Sequence, residues 1–200
     1  MIKNLLIVGS GLIGSSILRA TFKNKVAKKI FVFDKSKINL SKVKKIKIPI
    51  NILKNLNEKI AQMDLIILCT PMSEYGKIIN KINRFIGPKT LITDVGSTKE
   101  NILIQIRRKL KKKILWVSSH PIAGSEMSGP DFGSSKLFLN RWCILIKEKH
   151  THKKNLNLLK KFWKRLGSKV LIMDPKKHDI IFSMTSHLPH LIAYNLINTA

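Results

Sequence analysis

An apolar run, Leu5-Leu6-Ile7-Val8, leads directly into Gly9-Ser10-Gly11-Leu12-Ile13-Gly14, and no other stretch constrains the fold as much. Glycine is needed at each place for a different reason. Gly9 makes a tight turn, Gly11 lets the backbone approach an anion, and Gly14 lets the helix that begins here lie close on the strand before it. The helix start then offers unpaired N–H groups and partial positive charge to a phosphate. A glycine-rich turn alone is a weak signal. Here, however, a second apolar run ends at Asp34, 20 residues past Gly14, where an acid can bind the hydroxyls of an adenosine ribose. Strand, glycines, helix, strand and acid in this order imply a dinucleotide held by Gly9, Gly11, Leu12, Ile13, Gly14 and Asp34. A carboxylate at Asp34 favours NAD, since it repels the extra phosphate of NADP. Lys35 and Lys37 follow it and offset part of that repulsion.

The rest of the chain continues the alternation. Short Ile/Leu/Val runs at 4–8, 30–33, 65–69, 91–93, 115–117, 142–146 and 169–173 predict strands covered on both faces. Helices are predicted over 12–23, 74–85, 99–110 and 155–166. The fold class is therefore α/β, a doubly wound and mostly parallel sheet. Residues 34–57 are poorly patterned, and the third strand finds no firm place among them. Past Asp174-Pro175 the pattern turns purely helical. The chain is accordingly divided into a dinucleotide-binding unit, 1–174, and the beginning of a helical unit, 175–200.

Composition narrows the partners. A formal net charge of +27 suggests a polyanion. The lysines are nevertheless spread along the whole chain, and the dense runs KVKKIKI and RRKLKKK do not interleave aromatics as a single-strand binding groove does. No specific nucleic-acid partner is expected, although the charge favours small anions. No apolar run reaches the roughly 20 residues that cross a bilayer, and glycines interrupt the apolar opening, which reads as a buried strand and turn and not a leader. Cys69 and Cys143 lie inside apolar runs and make no disulfide framework, so the expected setting is the reducing cytoplasm.

Two further strand ends carry polar residues: Thr93-Asp94-Val95-Gly96-Ser97-Thr98-Lys99, and Ser119-His120-Pro121 continuing to Gly124-Ser125-Glu126. Both are expected at the carboxyl edge of the one sheet, where open α/β sheets bind ligands. A histidine there has the pKa range to take a hydroxyl proton while hydride leaves the carbon. Each residue also has a structural reading. Ser97 and Glu100 have the spacing of a capping box, and His120 could serve a strand-end carbonyl. His187 and His190 are spaced as a metal pair but lack a third ligand. They equally suit a first helical turn, with Ser186 as its cap and Pro189 tolerated. His150-Thr151-His152 reads as a solvated turn. No metal is expected.

Taken together, GSGLIGSS (9–16), LCTP (68–71), DVGSTK (94–99), SHPIAGSEMSGP (119–130) and SHLPH (186–190) resemble the prephenate/arogenate dehydrogenase family. The motifs run in order across nearly the whole chain, and HPIAGSE is far more specific than the glycine loop. The resemblance implies a Rossmann domain followed by the start of an all-helical dimerisation domain. It implies NAD as cofactor, with Thr70 and Pro71 beside it, prephenate as substrate, and a homodimer where the helical domain is complete. His120 is then the catalytic base, Ser97 holds the ring hydroxyl, and Ser125, Glu126, His187 and His190 line the substrate.

The implied reaction is oxidative decarboxylation of prephenate to 4-hydroxyphenylpyruvate, in tyrosine biosynthesis. Arogenate, with an amino group in place of the keto group, is the alternative substrate. A non-catalytic NAD- or nucleic-acid-binding module is the alternative of another class. Family members carry a substrate-pairing arginine on a later helix. The chain as given is thus expected to bind NAD without turning over prephenate well, and to expose an apolar stripe at Leu188, Leu191, Ile192 and Leu196.

Overall fold

The computed structural model describes residues 2–109 and 114–199. Its larger sheet has six parallel strands: β1 (Ile2–Val8), β2 (Ala27–Phe33), β3 (Asn51–Ile52), β4 (Leu65–Leu68), β5 (Leu91–Asp94) and β6 (Leu115–Trp116). Their order is 3-2-1-4-5-6, so the direction of winding reverses between β1 and β4. That reversal opens a crevice at the strand ends. Helices α1 (Leu12–Lys23), α2 (Lys37–Lys44), α3 (Tyr75–Ile82) and α4 (Glu100–Lys109) cover the two faces.

The apolar runs of the central strands are continuous because both faces are buried. Leu5, Ile7, Leu65 and Ile67 enter one core with Ile17 and Leu18 of α1. Their neighbours Leu6, Val8, Ile66 and Leu68 enter the other, with Ile78, Ile79 and Ile82 of α3 and Ile102 and Ile106 of α4. The alternation of strand side chains sorts adjacent residues of one run to opposite cores.

The segment 34–57 holds α2, capped by Ser36 accepting from the Asn39 N–H at 3.1 Å, and the two-residue β3. Only Val43 of α2 is buried. A helix with one buried residue and a strand of two carry almost no periodic signal.

The remaining strands correct the single-sheet expectation. β7 (Ser119–Pro121), β8 (Trp142–Ile146) and β9 (Lys169–Met173) form a separate sheet in the order 7-8-9. β7 runs antiparallel to β8, pairing His120 with Ile144, while β8 and β9 are parallel and joined through α5 (Lys153–Arg165). The chain leaves the main sheet after the Val117 N–H meets the Ile92 carbonyl, and one residue later the Ser118 carbonyl takes the Ile146 N–H. His120 therefore sits inside a strand of the second sheet, not at an end of the first. Phe138, Phe162 and Trp163 fill the space beneath, in the core that α1 shares.

After β9 every described element is helical. Asp174 caps α6 (Pro175–Phe182), accepting from the Lys177 N–H at 2.9 Å. A π-helical turn, Ser183–His187, then runs unbroken into α7 (Leu188–Thr199). Ser186 lies inside this continuous helix, so there is no helix start for it to cap. Leu188, Leu191, Ile192 and Leu196 are all at least half exposed, and no described helix is long and apolar enough to cross a membrane.

Candidate active site

The glycine loop is built as tightly as its spacing demands. Gly9 has φ +93°, and a Cβ there would lie 2.8 Å from the Cys69 carbonyl carbon. A Cβ on Gly14 would stand 2.0 Å from the Gly9 oxygen, whereas one on Gly11 meets nothing within 4 Å. The open space at Gly11 is where an anion fits. Gly11 is also the N-cap of α1 and brings no side chain to it. The first helical bond runs from the Ser15 N–H to the Gly11 carbonyl, and no acid occupies the first turn. The N–H groups of Leu12, Ile13 and Gly14 thus precede any intrahelical acceptor. Gly14→Ala is expected to cost about 1–3 kcal/mol or more through overpacking. Gly11→Ala should leave stability within about 0.5 kcal/mol while weakening NADH binding. Urea melts with NADH titrations check the pair, and equal stability of the two variants would refute the close approach at Gly14.

Asp34 follows β2 and turns back onto the loop. One carboxylate oxygen accepts from the Ser10 N–H and hydroxyl, both at 2.7 Å, and the other accepts from the Ser36 N–H at 2.8 Å. Lys35 is drawn away into an ion pair with Glu74, which also meets Lys77 at 3.0 Å. Hydrogen bonds from Lys35, then from Lys77, hold the Glu74 carboxyl below its usual range. Lys37 is exposed in the first turn of α2. At the end of β4, Thr70 Oγ1 is buried with no partner among the described residues, beside an exposed Pro71. An orphaned hydroxyl, an open glycine and a bare helix start together fit a dinucleotide. Burial, then the charge of Asp94, pushes the Cys69 thiol up.

Across the reversal, β5 and β7 are clasped by a fully buried ion pair. Lys99 Nζ lies 2.7 Å from Asp94 Oδ2 and 2.7 Å from the Ser119 carbonyl. The Ser119 hydroxyl donates to the Asp94 carbonyl at 2.6 Å. Lys99 is two residues past Ser97, and Ser119 is one before His120, so the clasp brings the serine loop to the histidine strand. The capping box is not formed. Asp179 of α6 receives the N–H groups of Lys99, at 2.9 Å, and Glu100, at 2.8 Å. Half-buried Ser97 is thereby relieved of that duty.

His120 faces a cavity of about 730 Å³, whose wall also includes Ala123, Gly124, Lys136, Arg141 and Ser186. Behind it, His120 Nδ1 lies 2.9 Å from Nε2 of the fully buried His178. Phe182 stands edge-on to His120, with ring centres 5.0 Å apart. Ser125 and Glu126 are exposed beyond Gly124 and do not join the cavity wall. The backbone places His187 at the end of the π turn and His190 in α7, and their side chains lie outside what is described. Sequence reasoning missed Lys136, Arg141, His178 and Asp179. The two cations were hidden in a basic background. An acid is uncommon here, with 11 among 200 residues, and Asp179 could have been singled out on that ground.

Residues 17–172 match the family described as "Prephenate dehydrogenase, nucleotide-binding domain", and residues 174–200 match "Prephenate dehydrogenase, dimerization domain". The first match begins past the glycine loop, whose role rests on its own geometry. Cyclohexadienyl dehydrogenase of Zymomonas mobilis is 32% identical over 98% of this chain and 66% of its own length. Prephenate dehydrogenase of Bacillus subtilis is 30% identical over 97% of this chain and 53% of its own. The chain thus spans about half to two thirds of the length of these curated relatives. A solved structure of prephenate dehydrogenase from A. aeolicus, in complex with hydroxyphenyl propionate and NAD+, superposes with a TM-score of 0.92 at 30% identity. That similarity covers 100% of this chain and 69% of the other. With most of its residues matched by the nucleotide-binding family, the chain belongs to the prephenate dehydrogenase family.

Proposed function

We propose that this chain supplies the NAD site and the proton acceptor for oxidative decarboxylation of prephenate. The observation that carries this reading is His120, set on a cavity wall with one ring nitrogen engaged from behind. NAD, when bound, supplies the hydride acceptor. The N–H groups of Leu12, Ile13 and Gly14 would hold its pyrophosphate, Asp34 its adenosine ribose, and the Thr70 hydroxyl, beside Pro71, would find a polar partner on it. His120 accepts the ring hydroxyl proton as hydride leaves the same carbon. The bond to the ring carboxylate then breaks, carbon dioxide departs, the electron pair completes the aromatic ring, and the phenolate oxygen takes the proton back from His120. Ser97 orients the hydroxyl, and Lys136 and Arg141 place positive charge where an anionic substrate enters. Ser125, Glu126, His187 and His190 are assigned to the substrate side on motif resemblance alone. The helical segment from 175 contributes to a homodimer interface.

Prephenate is preferred over arogenate because a relative at 30% identity bears the name prephenate dehydrogenase. Steady-state NADH formation by the full-length protein with each substrate tests this. A kcat/KM for arogenate above that for prephenate reverses the assignment, and no turnover of either overturns the function.

Asp34 is expected to select NADH over NADPH by about tenfold or more, since like charges a few ångströms apart at a protein surface cost on the order of 1–4 kcal/mol. Lys35 is already paired with Glu74 and does not offset that repulsion. Fluorescence titration with both cofactors checks it, and equal affinities sink the idea.

A further inference from the structure

We propose that His178 and Asp179 are positioning residues that fix the tautomer of His120, with its proton on Nδ1 and its lone pair on Nε2. The proposal deepens the reading of His120 as the base and rests on it. The argument starts at Asp179, whose two oxygens accept the N–H groups of Lys99 and Glu100 at the start of α4. A carboxylate employed this way is an acceptor on both oxygens, and the helix start favours its negative form. Its Oδ1 also lies 2.7 Å from His178 Nδ1, so that nitrogen has to donate. His178 is fully buried, which disfavours a charged imidazole, and the Asp179 charge that favours one is already shared with two backbone N–H groups. With one proton, already on Nδ1, its Nε2 is an acceptor.

The acceptor faces His120 Nδ1 at 2.9 Å. Nδ1 of His120 therefore carries the proton, and Nε2 is left as the basic nitrogen. Which ring nitrogen of a histidine is protonated is set by the hydrogen bond the other makes. When His120 takes a second proton, its Nδ1–H stays bonded to an acceptor backed by a carboxylate, which stabilises the imidazolium. Phe182, four residues after His178 on α6, covers both rings, with centres 5.0 Å from His120 and 4.6 Å from His178. It shields the relay from water on that side. The Asp179 carboxylate also anchors the first turn after Ser97. One group thus sets the tautomer of the base and the place of the serine loop.

The test is the nitrogen NMR spectrum of ¹⁵N-histidine in the full-length protein, read together with turnover and NADH affinity. Wild-type His120 is expected as the Nδ1–H tautomer. Finding its proton on Nε2 overturns the proposal without any variant. Asp179→Asn keeps an oxygen for the Glu100 N–H and turns an amide N–H toward His178. It should move the proton of both histidines to Nε2 and lower turnover by about 10²–10⁴, with NADH affinity within about twofold. Should that variant fail to fold, His178→Gln and His178→Leu decide, since neither touches the helix start. Glutamine offers His120 a carbonyl and Asp179 an N–H, so it should retain the tautomer and most turnover, whereas leucine should lose both. Identical tautomers and turnover in these two variants overturn the relay. The base assignment is judged apart from all of this by His120→Asn: if that variant stays active, His120 is not the base, whatever its tautomer.

Discussion

In the full-length protein, His120→Asn is expected to lower turnover by about 10²–10⁴, the usual worth of a positioned acid or base. Asparagine is the informative replacement. Its amide N–H can still donate to His178 where His120 Nδ1 lies 2.9 Å away, so no buried acceptor is stranded. What it lacks is a nitrogen able to take and carry a proton. NADH affinity should hold, because the glycine loop and Asp34 follow β1 and β2 of the main sheet, whereas His120 belongs to the second. A drop in turnover together with NADH affinity points instead to a general loosening. If turnover stays within a few-fold of the parent, His120 is structural and the base lies elsewhere.

Lys99→Met should be the most damaging single change to stability, at about 3–5 kcal/mol. Both members of the Lys99–Asp94 pair are fully buried at 2.7 Å. Methionine matches the length of the lysine stem but leaves Asp94 as a buried anion with no counter-charge. Against the 5–15 kcal/mol that holds a typical domain together, this is a large fraction, and for a chain of this size it corresponds to a fall of about 6–20 °C in Tm. Removing both charges, as in Lys99→Met with Asp94→Leu, should recover much of the loss, since a buried ion pair adds little net stability over apolar side chains. Thermal melts of the single and double variants provide the check. A single variant within about 1 kcal/mol of the parent would mean that water reaches Asp94. The Ser119 carbonyl also loses its partner in the single variant, so turnover should fall with stability.

The parts of this fold legible in the sequence were those in which one short segment carries its own instruction. The run into Gly9, Gly11 and Gly14 reads as a strand, a turn and a helix, and α1 occupies the residues 12–23 that the pattern predicts. The run WCILI announced a buried strand correctly. It said nothing about which sheet that strand joins, because burial leaves the same apolar signature in either. Sheet membership is decided at Val117–Ser118, where the ladder passes from Ile92 to Ile146. Ser97 and Glu100 had the right spacing for a cap, but a stronger acceptor arrived from 79 residues away in sequence. The partner of His120 was hidden for the same reason. His178 lies 58 residues downstream, in a lysine-rich helix whose local pattern is that of an ordinary solvated surface.

The carboxylate that closes the start of α4 belongs to α6, beyond the point where strands give way to helices. This limits how modular the molecule is. A chain cut after Met173 would retain the glycine loop, Asp34, Ser97 and His120 and would look complete by motif. It would lack the groups that anchor the serine loop and face the histidine from behind. The segment that carries the glycine loop and the segment that supports His120 do not end at the same place, and recombining nucleotide-binding and helical segments from different relatives keeps the proposed base with its support only when α6 travels with the strands it packs on.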